Sequence, residues 1–191
     1  MCNAFNTARK PEGIRACHFP IDTRLIRRTD PAPVILPSGK IVEMRWGFQR
    51  TGLGTVNNTR SDNLESPMWS EAIAKRRCLI PVASYYEWTG PTGHKKTHLF
   101  RHPENQWLKV AGLWEESKEY GLCFSMLTTD ASELVSGIHH RMPAILDPNE
   151  QSEFLDNGLE EFAPSNSPLT IELTVNPLLK NPPTHIQEEL F

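Results

Sequence analysis

A chain of 191 residues, 38% hydrophobic and 23% charged, has the length and composition of one globular domain that buries its own core. Its four cysteines, at positions 2, 17, 78 and 123, form neither a CxxC pair nor a zinc-finger spacing, so neither a disulfide framework nor a thiolate metal site is indicated. The formal net charge of −3 is unevenly spread, with 15 Lys+Arg against 8 Asp+Glu in residues 1–100 and 5 against 15 afterwards.

That asymmetry is either a basic face set against an acidic one or two kinds of solvated surface mixed by folding, and charge alone leaves both open. The chain has no apolar run of membrane-spanning length and no signal-type start. A cytoplasmic monomer with reduced thiols, no membrane partner and no cofactor is expected.

In chain order, "LPSGK" reads as a turn and "KIVEMRWGF" alternates like a strand. "SPMWSEAIAKRR" predicts a helix with Ser66 as N-cap and Pro67 at its first position. "CLIPVASYYEW" is strand-like, "TGPTGHKK" is a hairpin loop, and "THLFRH" pairs back. "WLKVAGLWE" and "GLCFSMLTT" are further β-rich runs, and "DASELVSGI" is a short helix leading into "HHRMPAIL". "DPNEQSEFLDNG" carries a complete helix grammar: Asp147 as cap, Pro148 at N1, Glu150 at N3 and Gly158 as terminator. "LTIELTV" closes the strand set, and a proline-rich tail follows from about residue 180. The expectation is an α+β domain over residues 1–191, with a mixed, mostly antiparallel, barrel-like sheet and short surrounding helices.

Cys2 is the most unusual placement. Initiator methionine is often removed before a small residue, and loss of Met1 would give Cys2 a free α-amine beside its thiol. That 1,2-aminothiol is a group no internal cysteine possesses. An α-amine pKa of about 7.7–8 leaves a neutral fraction at pH 7, and a thiol pKa of about 8.5 is expected to fall beside cationic groups.

Three other patterns carry chemistry. "YYEW" sets Glu87 among aromatics, where partial desolvation raises a carboxyl pKa toward the proton-transfer range; the alternative is a Glu on a polar strand face. "IHHRMP" offers His139 as acid/base and Arg141 as phosphate clamp, or a plain polar turn. "NNTRSDN" is rich in turn-building hydrogen-bonders and equally fits a loop. His94, His98 and His102 recur every fourth residue, but on a strand that spacing is about 13 Å, too far for one metal ion. They are read as surface residues.

A Met-Cys start, an Asn-x-Arg followed by an acidic residue, "RCLIPxxxYYEW", "W…GL" and "IHxRMP", in that order from Cys2 to about residue 185, resembles the SRAP family (SOS response-associated peptidases). The resemblance implies a protein of the DNA damage response that senses abasic sites in single-stranded DNA. It implies that Cys2, exposed by Met1 removal, forms a Schiff base through its amine and a thiazolidine through its thiol, a covalent DNA–protein crosslink. AP-lyase, autoproteolytic and family-assigned peptidase activities come with it, as does association with the nucleoid when DNA is bound. By the same resemblance Asn58 positions Cys2, Glu87 assists ring opening and proton transfer, and His139 shuttles protons. Arg60 and Arg141 hold flanking phosphates, and Trp46 lines the DNA channel. The chain departs from the family pattern at Asn3 and Ala4, where Gly-Arg is usual, and at Asp62, where the family has glutamate. The family's Asn-Val-Ala-Pro loop has no clear counterpart; "RRTDPAP" stands near its place, and Arg27 and Arg28 are the expected substitutes for the missing early arginine. Two other readings of the same residues stand beside this one. They are an N-terminal-nucleophile cysteine amidohydrolase, which would ignore DNA, and a non-catalytic DNA-binding module, which would ignore loss of Cys2.

Overall fold

In the computed structural model the described residues are 2–16, 18–20, 22–159 and 161–180. The expectations about Met1, Cys17 and the tail from residue 181 lie outside them.

The chain runs through β1 (Ala4–Ala8), β2 (Thr23–Arg27), β3 (Pro31–Ile35), β4 (Ile41–Trp46), β5 (Phe48–Arg50), β6 (Gly54–Val56) and β7 (Asn58–Arg60) before its first α-helix, α1 (Ser70–Lys75). It continues through β8 (Arg77–Val82), β9 (Ser84–Thr89), β10 (Lys96–Arg101), β11 (Leu108–Ser117) and β12 (Gly121–Asp130). The last elements are α2 (Glu133–Ser136), β13 (Arg141–Pro143), α3 (Pro148–Asp156) and β14 (Thr170–Thr174).

Five strands close on themselves: β11 pairs β8, β8 pairs β3, β3 pairs β4, β4 pairs β12, and β12 returns to β11. All but the β4–β12 pairing are antiparallel, so the barrel is mixed and mostly antiparallel, as expected. Strands β7 and β13 extend the far end of β12 on its two sides. A second sheet runs β14-β10-β9-β1-β2.

Period-two alternation explains why the barrel strands read as unbroken apolar runs. Cys78, Ile80, Val110, Phe124 and Met126 face one core with Trp46, Phe5 and Tyr85. Their neighbours Leu79, Ala111, Leu113, Cys123 and Leu127 face a second core with Trp69 and Ala72 at α1 and Phe154 of α3. A strand buried on both faces has no polar side to show.

Two local readings change, and one strand went unread. The expected helix over "SPMWSEAIAKRR" begins at Ser70, not Pro67, because the Ser66 carbonyl accepts the Trp69 and Ser70 N–H groups in a preceding turn. The "CLIPVASYYEW" run is two strands, broken at Ala83, whose N–H donates to the Asn6 carbonyl at 2.8 Å as the chain passes from barrel to second sheet. "PAPVI" is a strand despite two prolines, since β3 meets β8 only at Ile35–Leu79 and leaves Pro33 without a ladder partner to fail on that side. The α3 capping box forms as expected: Asp147 accepts the Asn149 and Glu150 N–H groups, and Glu150 accepts that of Asp147 at 2.8 Å.

The N-terminal segment is not a frayed end. β1 lies inside the second sheet, with Phe5 opposite Ile26 of β2 on one side and Tyr85 of β9 on the other. Pairing on both sides ties down the residues that lead back to Cys2.

Candidate active site around Cys2

Cys2 is 1% exposed and packs in the first core with Phe5 and Tyr85. Its thiol donates to the Ala4 carbonyl at 3.3 Å. Its own carbonyl accepts from Asn58 Nδ2 at 2.8 Å. β7 can deliver Asn58 because it runs parallel to β12, Asn58 beside Met126 and Arg60 beside Thr128. The preceding turn is narrow: Gly47 sits at φ +125°, where an added Cβ would come within 2.4 Å of Thr55 Cγ2 and 3.0 Å of Asn57 Nδ2. Asn57 is fixed in turn by Trp46, its Nδ2 donating to the Trp46 carbonyl while its own carbonyl accepts the indole N–H. Among the described residues Asn58 Oδ1 has no hydrogen-bond partner, so an acceptor is left beside the Cys2 backbone.

Glu87 is 2% exposed on β9. Burial pushes its carboxyl from the usual 4.5 up to about 7, so near neutral pH it can both take and give a proton. Burial, followed by the nearby Glu87 charge, also pushes the Cys2 thiol well above its ordinary range. The expected fall of the thiol beside cations is therefore overturned. The sulfur is a neutral thiol, and the Glu87 charge is close enough to act on it.

His139 stands just before β13, its Nδ1 lying 3.0 Å from both the N–H and the carbonyl oxygen of Arg141. In the neutral ring Nδ1 accepts that N–H when the proton is on Nε2 and donates to that carbonyl when the proton is on Nδ1. Burial lowers its pKa, which favours that neutral form. β13 flanks the same end of β12 as β7 does, which puts His139, two residues before β13, toward that end of the barrel.

The expected DNA-holding residues divide. Trp46 is fully buried, edge-on to Phe5 at 4.9 Å and stacked over Phe124 at 6.4 Å. It is a core residue that holds Asn57, not a channel wall. Arg141 is 3% exposed, donating to Asp130 at 2.8 Å and to the Thr128 carbonyl. It braces β13 on β12 and presents no exposed guanidinium for a phosphate. Arg60 does point outward, its side chain 56% exposed and bonded to Asp62. That pairing, reinforced by the Arg141 charge, holds the Asp62 carboxyl down at about 2. Exposed ion pairs are screened and open readily, so Arg60 can exchange Asp62 for another anion. Arg27 is exposed with its guanidinium near the Pro177 carbonyl at 3.4 Å, and Arg28 reaches Asn57 Oδ1 at 2.8 Å. Much of the remaining positive charge of the first half is locally neutralised in the Arg24–Glu43, Arg50–Glu115 and Arg76–Glu71 pairs.

Reading the sequence missed Tyr85, a buried residue on which the Cys2 and Glu87 charges act, although alternation along "YYEW" puts positions 85 and 87 on one strand face. It also missed Asn6, which clamps β1 to β9 through Ser84 Oγ at 2.8 Å and Tyr86 OH at 2.9 Å. Among the described residues no cluster of three His, Cys, Asp or Glu could hold a metal ion. No helix among them is long and apolar enough to cross a membrane.

The family model described as SOS response associated peptidase (SRAP) matches residues 23–178. An abasic site processing protein of Saccharomyces cerevisiae is 30% identical over 139 residues, covering 66% of this chain and 38% of its own. The abasic site processing protein HMCES of Gallus gallus is 31% identical over 147 residues, 59% of this chain and 44% of that one. The abasic site processing protein YoqW of Bacillus subtilis is 26% identical, over 62% of this chain and 58% of its own length. The match thus spans between about a third and three fifths of these relatives. Among solved structures, a protein of Bordetella bronchiseptica superposes with a TM-score of 0.74 at 20% identity, covering 91% of this chain and 99% of that one. One from Bacteroides thetaiotaomicron gives 0.68 at 22% identity, over 87% and 83%. These two likenesses concern the fold.

Proposed function

Because this chain belongs to the SOS response associated peptidase family, we propose that it processes abasic sites in single-stranded DNA, as a monomer, by crosslinking itself to them through Cys2 once Met1 is removed. The observation that carries this reading is the grip of Asn58 Nδ2 on the Cys2 carbonyl at 2.8 Å, with the buried Glu87 carboxyl beside the thiol. A nucleophile held by its backbone next to a base of matched pKa is what aldehyde condensation at neutral pH requires.

In this mechanism the Cys2 amine adds to the aldehyde of the ring-opened sugar, and loss of water gives a protonated Schiff base. Asn58 Oδ1 accepts an amine N–H and so aims the nitrogen lone pair. Glu87 moves protons during ring opening and dehydration, and the His139 imidazole is a second proton-transfer group. The thiol proton then passes to Glu87, the sulfur bonds to the iminium carbon, and the C=N pair returns to nitrogen, closing a thiazolidine. Arg60, after releasing Asp62, holds a flanking phosphate, with Arg27 and Arg28 as further anchors. The family's lyase and autoproteolytic activities would use the same amine and thiol.

The test is incubation with single-stranded DNA containing one abasic site, followed by denaturing electrophoresis. A heat-stable shifted band with abasic DNA alone is expected. Its absence, or DNA-independent turnover of amides, refutes the reading and favours an amidohydrolase.

A further inference from the structure

Tyr85 is fully buried on β9, two residues before Glu87 on the same strand face. Its ring is locked, stacked on Phe100 with centroids 4.7 Å apart and planes 6° apart, and paired in register with Phe5 of β1. Yet among the described residues its hydroxyl has no hydrogen-bond partner. A phenol buried without a partner is unusual, because leaving a donor unmet in a low-dielectric interior is costly. Phenylalanine would fill the same stack without that cost. Burial, followed by the charges of Cys2 and Glu87, pushes the pKa of the hydroxyl well up, so it remains a protonated donor. From β10 the titratable group opposite Glu87 is His98, whose Nε2 is occupied by Thr89 Oγ1 at 2.8 Å.

We propose that the Tyr85 hydroxyl is a further catalytic residue, donating a hydrogen bond to the Cys2 sulfur as it becomes a thiolate. The inference rests on the crosslinking reading above and supplies what that reading lacks. Burial and the Glu87 charge both oppose thiolate formation, and the ring-closing step cannot avoid negative charge on sulfur. Backbone hydrogen bonds of Ala4 and Tyr86 already favour the thiolate. Tyr85 adds a side-chain donor beside Tyr86, so two adjacent residues of β9 form a small anion hole for sulfur. As the S–H proton leaves for Glu87, the phenol O–H stays intact and turns to the new anion. When the S–C bond forms and the charge is gone, the hydroxyl is released. No proton or electron is left over, because Tyr85 donates a hydrogen bond without giving up its proton. Donors placed where charge develops, and unpaired in the ground state, are the general device of electrostatic catalysis.

The decisive variant is Tyr85→Phe, which keeps the stack and removes one oxygen. Two measurements run side by side: the rate of crosslinking to abasic single-stranded DNA, and the pH profile of iodoacetamide alkylation at Cys2, read by mass spectrometry of its peptide. Crosslinking should slow by about ten- to a hundredfold, the loss expected for a hydrogen bond to a charged group. The alkylation profile should shift to higher pH, while the thermal midpoint should hold or rise because an unmet donor has been removed. Unchanged crosslinking with an unchanged alkylation profile overturns the proposal. So does a lowered thermal midpoint, which would mean the hydroxyl holds the fold. If wild type itself fails to crosslink, the functional reading falls while the alkylation profile still decides the role of Tyr85.

Discussion

Replacing Glu87 by Gln should make the protein more stable and less active at the same time, with a defined dependence on pH. Burial raises the Glu87 carboxyl from 4.5 to about 7 in the folded state. Between those values the folded protein binds more protons than the unfolded chain, so wild-type stability falls as pH rises. Below pH 4.5 both states are protonated and nothing is lost; above about pH 7 the full cost of burying the charge is present. A shift of that size corresponds to about 3 kcal/mol. Glutamine keeps the shape without the charge, so Glu87→Gln should match wild type near pH 4 and exceed it near pH 8. At about 2–4 °C per kcal/mol for a domain of this size, the thermal midpoint at pH 8 should rise by about 6–12 °C. Crosslinking to abasic DNA should meanwhile drop by roughly 10²-fold or more, as general acid–base catalysis is removed. Paired thermal melts at pH 4 and pH 8, with crosslinking time courses at pH 7, read both effects. A variant equally destabilised at both pH values would show that Glu87 anchors the fold. Wild-type crosslinking by the variant would remove it from the chemistry.

Cys2→Ala should abolish the adduct in denaturing electrophoresis, whereas Cys78→Ala and Cys123→Ala, both fully buried in the cores, should retain it along with Cys17→Ala; an undiminished adduct without Cys2 would contradict the mechanism. Arg60→Ala should weaken binding to all single strands alike and flatten the log–log salt slope by about 0.7, the loss of one phosphate contact. Arg141→Ala should instead lower the thermal midpoint, by about 1–3 kcal/mol of lost charged hydrogen bonding, with no separate change in salt slope; a flattened slope and unchanged stability would restore it as a phosphate anchor. Protein carrying an uncleavable N-terminal extension should not crosslink, because an acylated nitrogen has its lone pair delocalised, while protein starting at Cys2 should. Equal yields, checked against intact mass, would exclude an aminothiol.

The local features that sequence determined are those set by short-range chemistry. Asp147, Pro148 and Glu150 specify the start of α3 because a capping box needs only neighbouring residues. The Thr89–Lys96 turn and its hairpin follow from glycine and proline between two β-rich runs. Cys2, Glu87 and His139 were readable as candidate reactive groups, each beside a plain structural alternative, whereas Asn58 took its role from the resemblance to the SRAP family alone. Burial was not readable, since it is a property of the assembled sheets. "RWGF" and "HHRMP" show an indole and a guanidinium in polar company, and only barrel closure puts Trp46 between Phe5 and Phe124 and folds Arg141 onto Asp130. The Cys2 thiol likewise looked open to cations in the sequence, whereas pairing of β1 between β2 and β9 drew it into the core beside Glu87, where a low dielectric holds it protonated. Residue identity supplied the reactive groups. Long-range strand pairing decided which of them water can reach, and hence their protonation.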